Sequence, residues 1–153
     1  MTGDCLHPCL ILLLGGIFIP FLKERYKQLF ILLVPIFGLA NLWGLNVGDT
    51  FTFNIMGFEL VHCRVDKMAL LFAYIFHIAA FLCMLYSLHL KDDVQLATGM
   101  MYAGSAVGAV FAGDFVTLFL FWELLAVTSV FQVWARKSKE SFGAGQRYLT
   151  FHI

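Results

Sequence analysis

Glu123 is the residue of this chain whose position most needs a chemical reason. It lies within Phe115-Val116-Thr117-Leu118-Phe119-Leu120-Phe121-Trp122-Glu123-Leu124-Leu125-Ala126-Val127-Thr128-Ser129-Val130-Phe131, an otherwise uncharged run long enough to cross a bilayer. An ionised carboxylate at the bilayer centre costs roughly 3 kcal/mol on insertion scales, so a carboxylate retained there reads by default as a proton or cation site. At about 1.5 Å per residue it stands ~12 Å into the stretch, near mid-membrane. The bland alternative is a Glu paired for packing or held neutral as a hydrogen-bond donor. No Lys or Arg lies mid-span in the sequence, so a counter-charge for Glu123 has to come from elsewhere.

His77 lies midway along a second apolar stretch. An imidazole titrates near neutrality and can relay protons; a neutral His bonded to backbone or hydroxyl fits the position equally well. Haem ligation would need a second axial His at the same depth, and His7, His89 and His152 all stand towards segment ends. Asp66 and Lys67 mark the mouth of one stretch and Asp114 that of another, as Asp favours a helix N-terminus. Trp122 is too deep for an interface anchor and is expected to shape the Glu123 pocket, whereas Trp43 and Trp134 suit the interface. Cys5, His7 and Cys9 are close in sequence, but Pro8 interrupts them and a fourth tetrahedral ligand is missing. Cys63 and Cys83 read as small apolar residues. No metal and no cofactor are expected.

The elements that must position these residues follow from hydrophobicity. The chain is 61% hydrophobic and only 13% charged, against about 25% charged in soluble domains. The reading is an all-α polytopic membrane protein, one membrane domain over 1–153. Expected spans are about 5–22, 29–45, 68–90, 96–113 and 115–134, with the start of a sixth at 146–153; most approach the ~20 residues a spanning helix needs. Pro35 inside the second is tolerable in a bundle. The first stretch is read as a retained helix and not a signal peptide, because Lys23, Arg25 and Lys27 follow the apolar run.

Basic residues set the expected orientation. Lys23, Arg25, Lys27, Lys91, Arg136, Lys137, Lys139 and Arg147 fall on one side, against Arg64 and Lys67 on the other. The basic side is cytoplasmic by the positive-inside rule, which puts the N-terminus outside. Ten basic and ten acidic residues balance, which argues against a nucleic-acid partner. Between the second and third stretches, Phe51, Phe53 and Ile55 alternate with Thr52 and Asn54. After Met56-Gly57, Phe58, Leu60 and His62 alternate with Glu59 and Val61. Such period-two alternation around a Gly turn predicts a short β-hairpin, which needs support from the bundle or a partner. Gly104-x-x-x-Gly108 permits close helix approach.

Three segments carry a family resemblance: Arg64-Val65-Asp66-Lys67-Met68-Ala69-Leu70-Leu71-Phe72, Tyr102-Ala103-Gly104-Ser105-Ala106, and Ala112-Gly113-Asp114 running on to Trp122-Glu123. They resemble the antiporter-like membrane subunits of Mrp-type multisubunit Na⁺/H⁺ antiporters and of the respiratory complex I membrane arm. Within that group the chain is most similar to the D-type subunits of bacterial Mrp antiporters. The resemblance implies about fourteen helices with two inverted five-helix repeats. It also implies a Glu at position 123 that pairs with a lysine on a later helix and takes part in proton transfer, and a polar axis continued by further lysines and a histidine. Implied partners are other subunits of the antiporter complex, protons, Na⁺ or another monovalent cation, and the lipid of a bacterial cytoplasmic (inner) membrane. The chain stops at Ile153, ahead of that lysine and the second repeat, and is read as an N-terminal portion, inactive alone. The expected function is a secondary transporter subunit, not an enzyme. The alternatives are a membrane-arm subunit of a quinone-linked dehydrogenase or hydrogenase, and a non-transporting structural fragment.

Overall fold

The computed structural model of the chain describes residues 7–55 and 57–152. Within them, six helices and one hairpin follow in the order α1 (Pro8–Phe18), α2 (Glu24–Leu42), β1 (Thr50–Ile55), β2 (Phe58–Arg64), α3 (Lys67–Tyr86), α4 (Asp93–Phe111), α5 (Phe115–Trp134) and α6 (Lys139–His152). A 3₁₀ turn, Ile19–Phe21, prolongs α1, and another, Ser87–His89, prolongs α3. Helix starts are set by local chemistry. Pro8 fills the first position of α1, where no N–H is needed. The side chains of Asp66, Asp92 and Asp114 accept N–H bonds at the starts of α3, α4 and α5, each satisfying a donor that the helix leaves orphaned.

Among the described residues, three helices are long and apolar enough to cross a membrane: α3 with its 3₁₀ turn (Lys67–His89), α4 and α5. These correspond to three of the five complete spans expected from the sequence. The first apolar stretch, Pro8–Phe21, is a shorter helix, and α2 begins with the charged residues Glu24, Arg25 and Lys27. Helix α6 starts at Lys139, well ahead of the apolar residues after Gln146.

Helix α4 is the centre of the bundle and packs against α1, α3 and α5. Close approach is built from glycines. A Cβ on Gly104 would sit 3.0 Å from Leu13 of α1, and one on Gly108 would overlap the Phe121 ring of α5. The Gly104–Gly108 pair therefore serves two different neighbours. Gly16 answers from α1, with Met101 and the Ala97 carbonyl against it.

The hairpin forms as the alternation predicts. β1 and β2 pair antiparallel from Thr50↔Arg64 to Ile55↔Phe58, with an irregularity between Phe51 and Thr52. Gly57 at φ 89° makes the turn, a conformation that favours glycine. The hairpin is docked on the bundle. Gly113 N–H donates to the Val61 carbonyl at 2.9 Å, and His7 Nε2–H donates to the His62 carbonyl at 3.0 Å. The chain alternates direction, so the starts of α1, α3 and α5 lie at this hairpin end and those of α2, α4 and α6 at the opposite end.

Candidate functional site

Helix α5 carries Glu123, and its rotation is fixed at two points. At the hairpin end the Asp114 carboxylate accepts Thr117 N–H at 2.7 Å and the Thr117 hydroxyl at 3.0 Å. Burial pushes the Asp114 carboxyl up, but these bonds and those from the Val61 and Val116 N–H groups outweigh it and hold it below the usual carboxylate range. Further along, Phe121 fills the notch at Gly108 of α4. Glu123 is two residues on, about 200° around the helix, so it is turned away from α4.

What lies on that side is α6. Trp122 and Trp134 end the row Trp122–Ala126–Val130–Trp134, spaced i,i+4 along one face of α5. Trp122 stacks on His152 of α6, with ring centroids 6.0 Å apart and planes 5° apart. Trp134 Nε1–H donates to the Phe142 carbonyl at 3.3 Å, and its ring occupies the space where a Gly145 side chain would lie. Ala126 and Val130 between them are buried. Glu123 flanks this row. Its side chain is half-buried, and among the described residues neither a hydrogen bond nor an ion pair reaches its carboxylate.

His77 is fully buried on α3. Its Nδ1–H donates to the Ala73 carbonyl at 2.8 Å, which leaves Nε2 as the free nitrogen, buried and without a partner among the described residues. The ring presses into a notch at Gly38 of α2. His77 therefore faces α2, while Glu123 lies beyond α4, and the structure does not bring the two together. Lys67 is exposed beside the Asp66 cap. Cys9 is buried, and its thiol meets His7 Nδ1 at 2.9 Å. Cys63 is buried under the hairpin, where burial, then the charge of Asp49, pushes its thiol up to about 12. Cys5 lies outside the described residues.

Two features escaped the sequence reading. Lys27, counted there as a loop charge, is buried, with its ammonium 2.7 Å from Glu24 and 2.5 Å from Asp93. The neighbouring Asp92 takes Lys137 at 2.8 Å. No periodicity signals an ion pair between residues so far apart in sequence. The other is His152: a reading by apolar runs begins the last helix at Gln146 and leaves this residue at its edge.

No protein-family model matches the chain, and no curated protein matches it. Among solved structures it is similar to a chain of the membrane-bound sulfane sulfur reductase, described as an archaeal respiratory membrane complex. The identity is 24% and the TM-score 0.72, over 83% of this chain and 22% of that one. The likeness is one of fold, and this chain spans about a fifth of that neighbour's length.

Proposed function

We propose that this chain is part of a membrane subunit of a multisubunit ion-translocating complex, and that Glu123 carries protons in it. The observation that carries the reading is Glu123 itself. It is a half-buried carboxylate on a helix apolar enough to cross a membrane, without an internal partner among the described residues. A carboxylate so placed is open to a counter-charge from another segment. That is the element a coupled proton carrier needs.

Within this reading the complex is an antiporter of the Mrp kind that exchanges protons for Na⁺ or another monovalent cation, as the Trp122-Glu123 segment suggests. Five helices cross the bilayer, α1 and α2 among them. The end opposite the hairpin, with Lys23, Arg25, Lys27, Lys91, Arg136, Lys137 and Lys139, faces the cytoplasm of a bacterium. Asp66, Lys67 and Asp114 stand at the outer mouth. His77 is a second protonatable group, its free Nε2 facing α2. A second reading is favoured by the fold likeness to a respiratory membrane complex: the same carboxylate serving a membrane arm driven by electron transfer.

The test is Glu123→Gln and Glu123→Asp in the assembled complex, in membrane vesicles with proton movement followed by a pH-sensitive dye. Gln is expected to lower flux on the order of a hundredfold, with partial recovery in Asp. Flux started by a Na⁺ gradient supports the antiporter; flux started only by an electron donor supports the redox arm. Unchanged flux in Glu123→Gln under both would leave a structural fragment.

A further inference from the structure

Helix α6 reaches the Glu123 level, and it brings a titratable group there. His152 lies ~20 Å along α6 from Lys139 at about 1.5 Å per residue, and α6 runs antiparallel to α5. Its imidazole lies nearly parallel to two aromatic rings: Trp122, and Tyr148 with centroids 5.3 Å apart and planes 11° apart. Trp122 is the residue next to Glu123. His152 Nε2 is shut off from solvent and meets no hydrogen-bond partner among the described residues. A buried ring nitrogen without a partner forfeits hydrogen-bond energy, so an arrangement that keeps one needs a reason. A stacked imidazole is oriented by its faces, which leaves its edge, where the nitrogens are, for exchange.

We propose that His152 is a second protonatable residue of the Glu123 site. The stack fixes the ring and Nε2 takes the proton that the Glu123 carboxyl releases. The transfer is balanced: neutral imidazole and carboxylic acid become imidazolium and carboxylate, and no other reactant is consumed. The carboxylate formed with it is the opposite charge that α5 offers. Among the described residues the other ionisable group in contact with it is Tyr148 on α6 itself. This inference rests on the reading of Glu123 as a proton carrier.

The experiment compares His152→Phe, His152→Gln and Glu123→Gln in vesicles carrying the assembled complex, with proton flux measured across pH. Phe keeps the stack and removes the nitrogens, so a purely structural role predicts unchanged flux in His152→Phe. We expect instead about a tenfold loss or more in both His152 variants, with the imidazole limb gone from the pH profile and the amount of complex unchanged. Full flux and an unaltered profile in His152→Phe overturn the inference. If Glu123→Gln also retains full flux, the proton-carrier reading falls with it; if Glu123→Gln alone is inactive, only the role of His152 falls. Should His152→Phe fail to assemble, the wild-type complex still decides. The emission of Trp122, isolated by difference from a Trp122→Phe complex, is expected to be quenched as His152 protonates. A difference spectrum that stays flat across the whole pH range in which the complex remains assembled overturns the proposal.

Discussion

A single carbon decides several contacts in this molecule. Gly38 is the clearest case: a Cβ there would overlap Cδ2 and Nε2 of the buried His77 ring. Gly38→Ala is therefore expected to destabilise the protein by about 1–3 kcal/mol, the usual cost of overpacking. Thermal unfolding in detergent, followed by circular dichroism, measures it. His77→Ala in the same background should recover part of the loss, because contacting residues do not contribute additively. The same contact explains the geometry of His77: the Ala73 carbonyl takes its Nδ1–H and the glycine notch receives the other edge of the ring.

At the scale of elements, the tandem aspartates at the start of α4 act as a double staple. Asp93 holds Lys27 of α2, and Asp92 holds Lys137 from the turn between α5 and α6. The two differ in energy because they differ in burial. Lys27 is 4% exposed and the Asp93 side chain 33%, so Asp93→Asn leaves the ammonium with only the exposed Glu24, at an expected cost of about 1.5–3 kcal/mol, the range for a hydrogen bond to a charged group. The Lys137 side chain is 76% exposed and Asp92 23%, so water and salt screen that pair. Asn caps helices as well as Asp, hence Asp92→Asn removes the charge pair alone, for about 1 kcal/mol or less. The pH dependence has a definite sign. The hydrogen bond from Lys137, with those from Gln95 and Val94, holds the Asp92 carboxyl below the usual range despite burial. Its contribution is therefore present above the ordinary carboxylate pKa of about 4 and is lost as pH falls through the lowered value. Melting curves of wild type and Asp92→Asn should differ at pH 7 and converge towards pH 2.

Legibility followed the range of each signal. Helix α5 coincides with its apolar stretch, Phe115–Trp134, because Asp114 ahead of it and Arg136 behind it mark both ends in sequence. The hairpin was readable because alternation and Gly57 are local. Helix α6 is not readable in this way, since Lys139, Glu140 and Arg147 make its first turns polar, and an apolar run alone puts His152 at an edge and not beside Trp122. Hydrophobicity starts the fourth stretch at Leu96, but the helix starts at Asp93, where Asp92 caps it.

For the molecule as a whole, α4 is the axle. It is the most buried of the three long apolar helices, while α3 and α5 turn large apolar residues such as Phe72, Leu82, Phe119 and Leu120 outward. The α1–α4 contact should be the most sensitive to added bulk. Gly16→Leu would meet Met101 and the Ala97 backbone carbonyl, whereas Gly143→Leu meets open space apart from Arg147 at 3.7 Å. Membrane-integrated protein, measured by immunoblot, is expected to collapse for the first and to hold for the second. The same contact sets a schedule for synthesis. Gly16 and its Met101 partner are separated by about 85 residues of chain, and ribosomes add roughly 5–20 residues per second. The first helix thus waits ~4–17 s for the surface it fits, through the birth of two more helices and the hairpin, with its glycine face uncovered by its partner until α4 emerges.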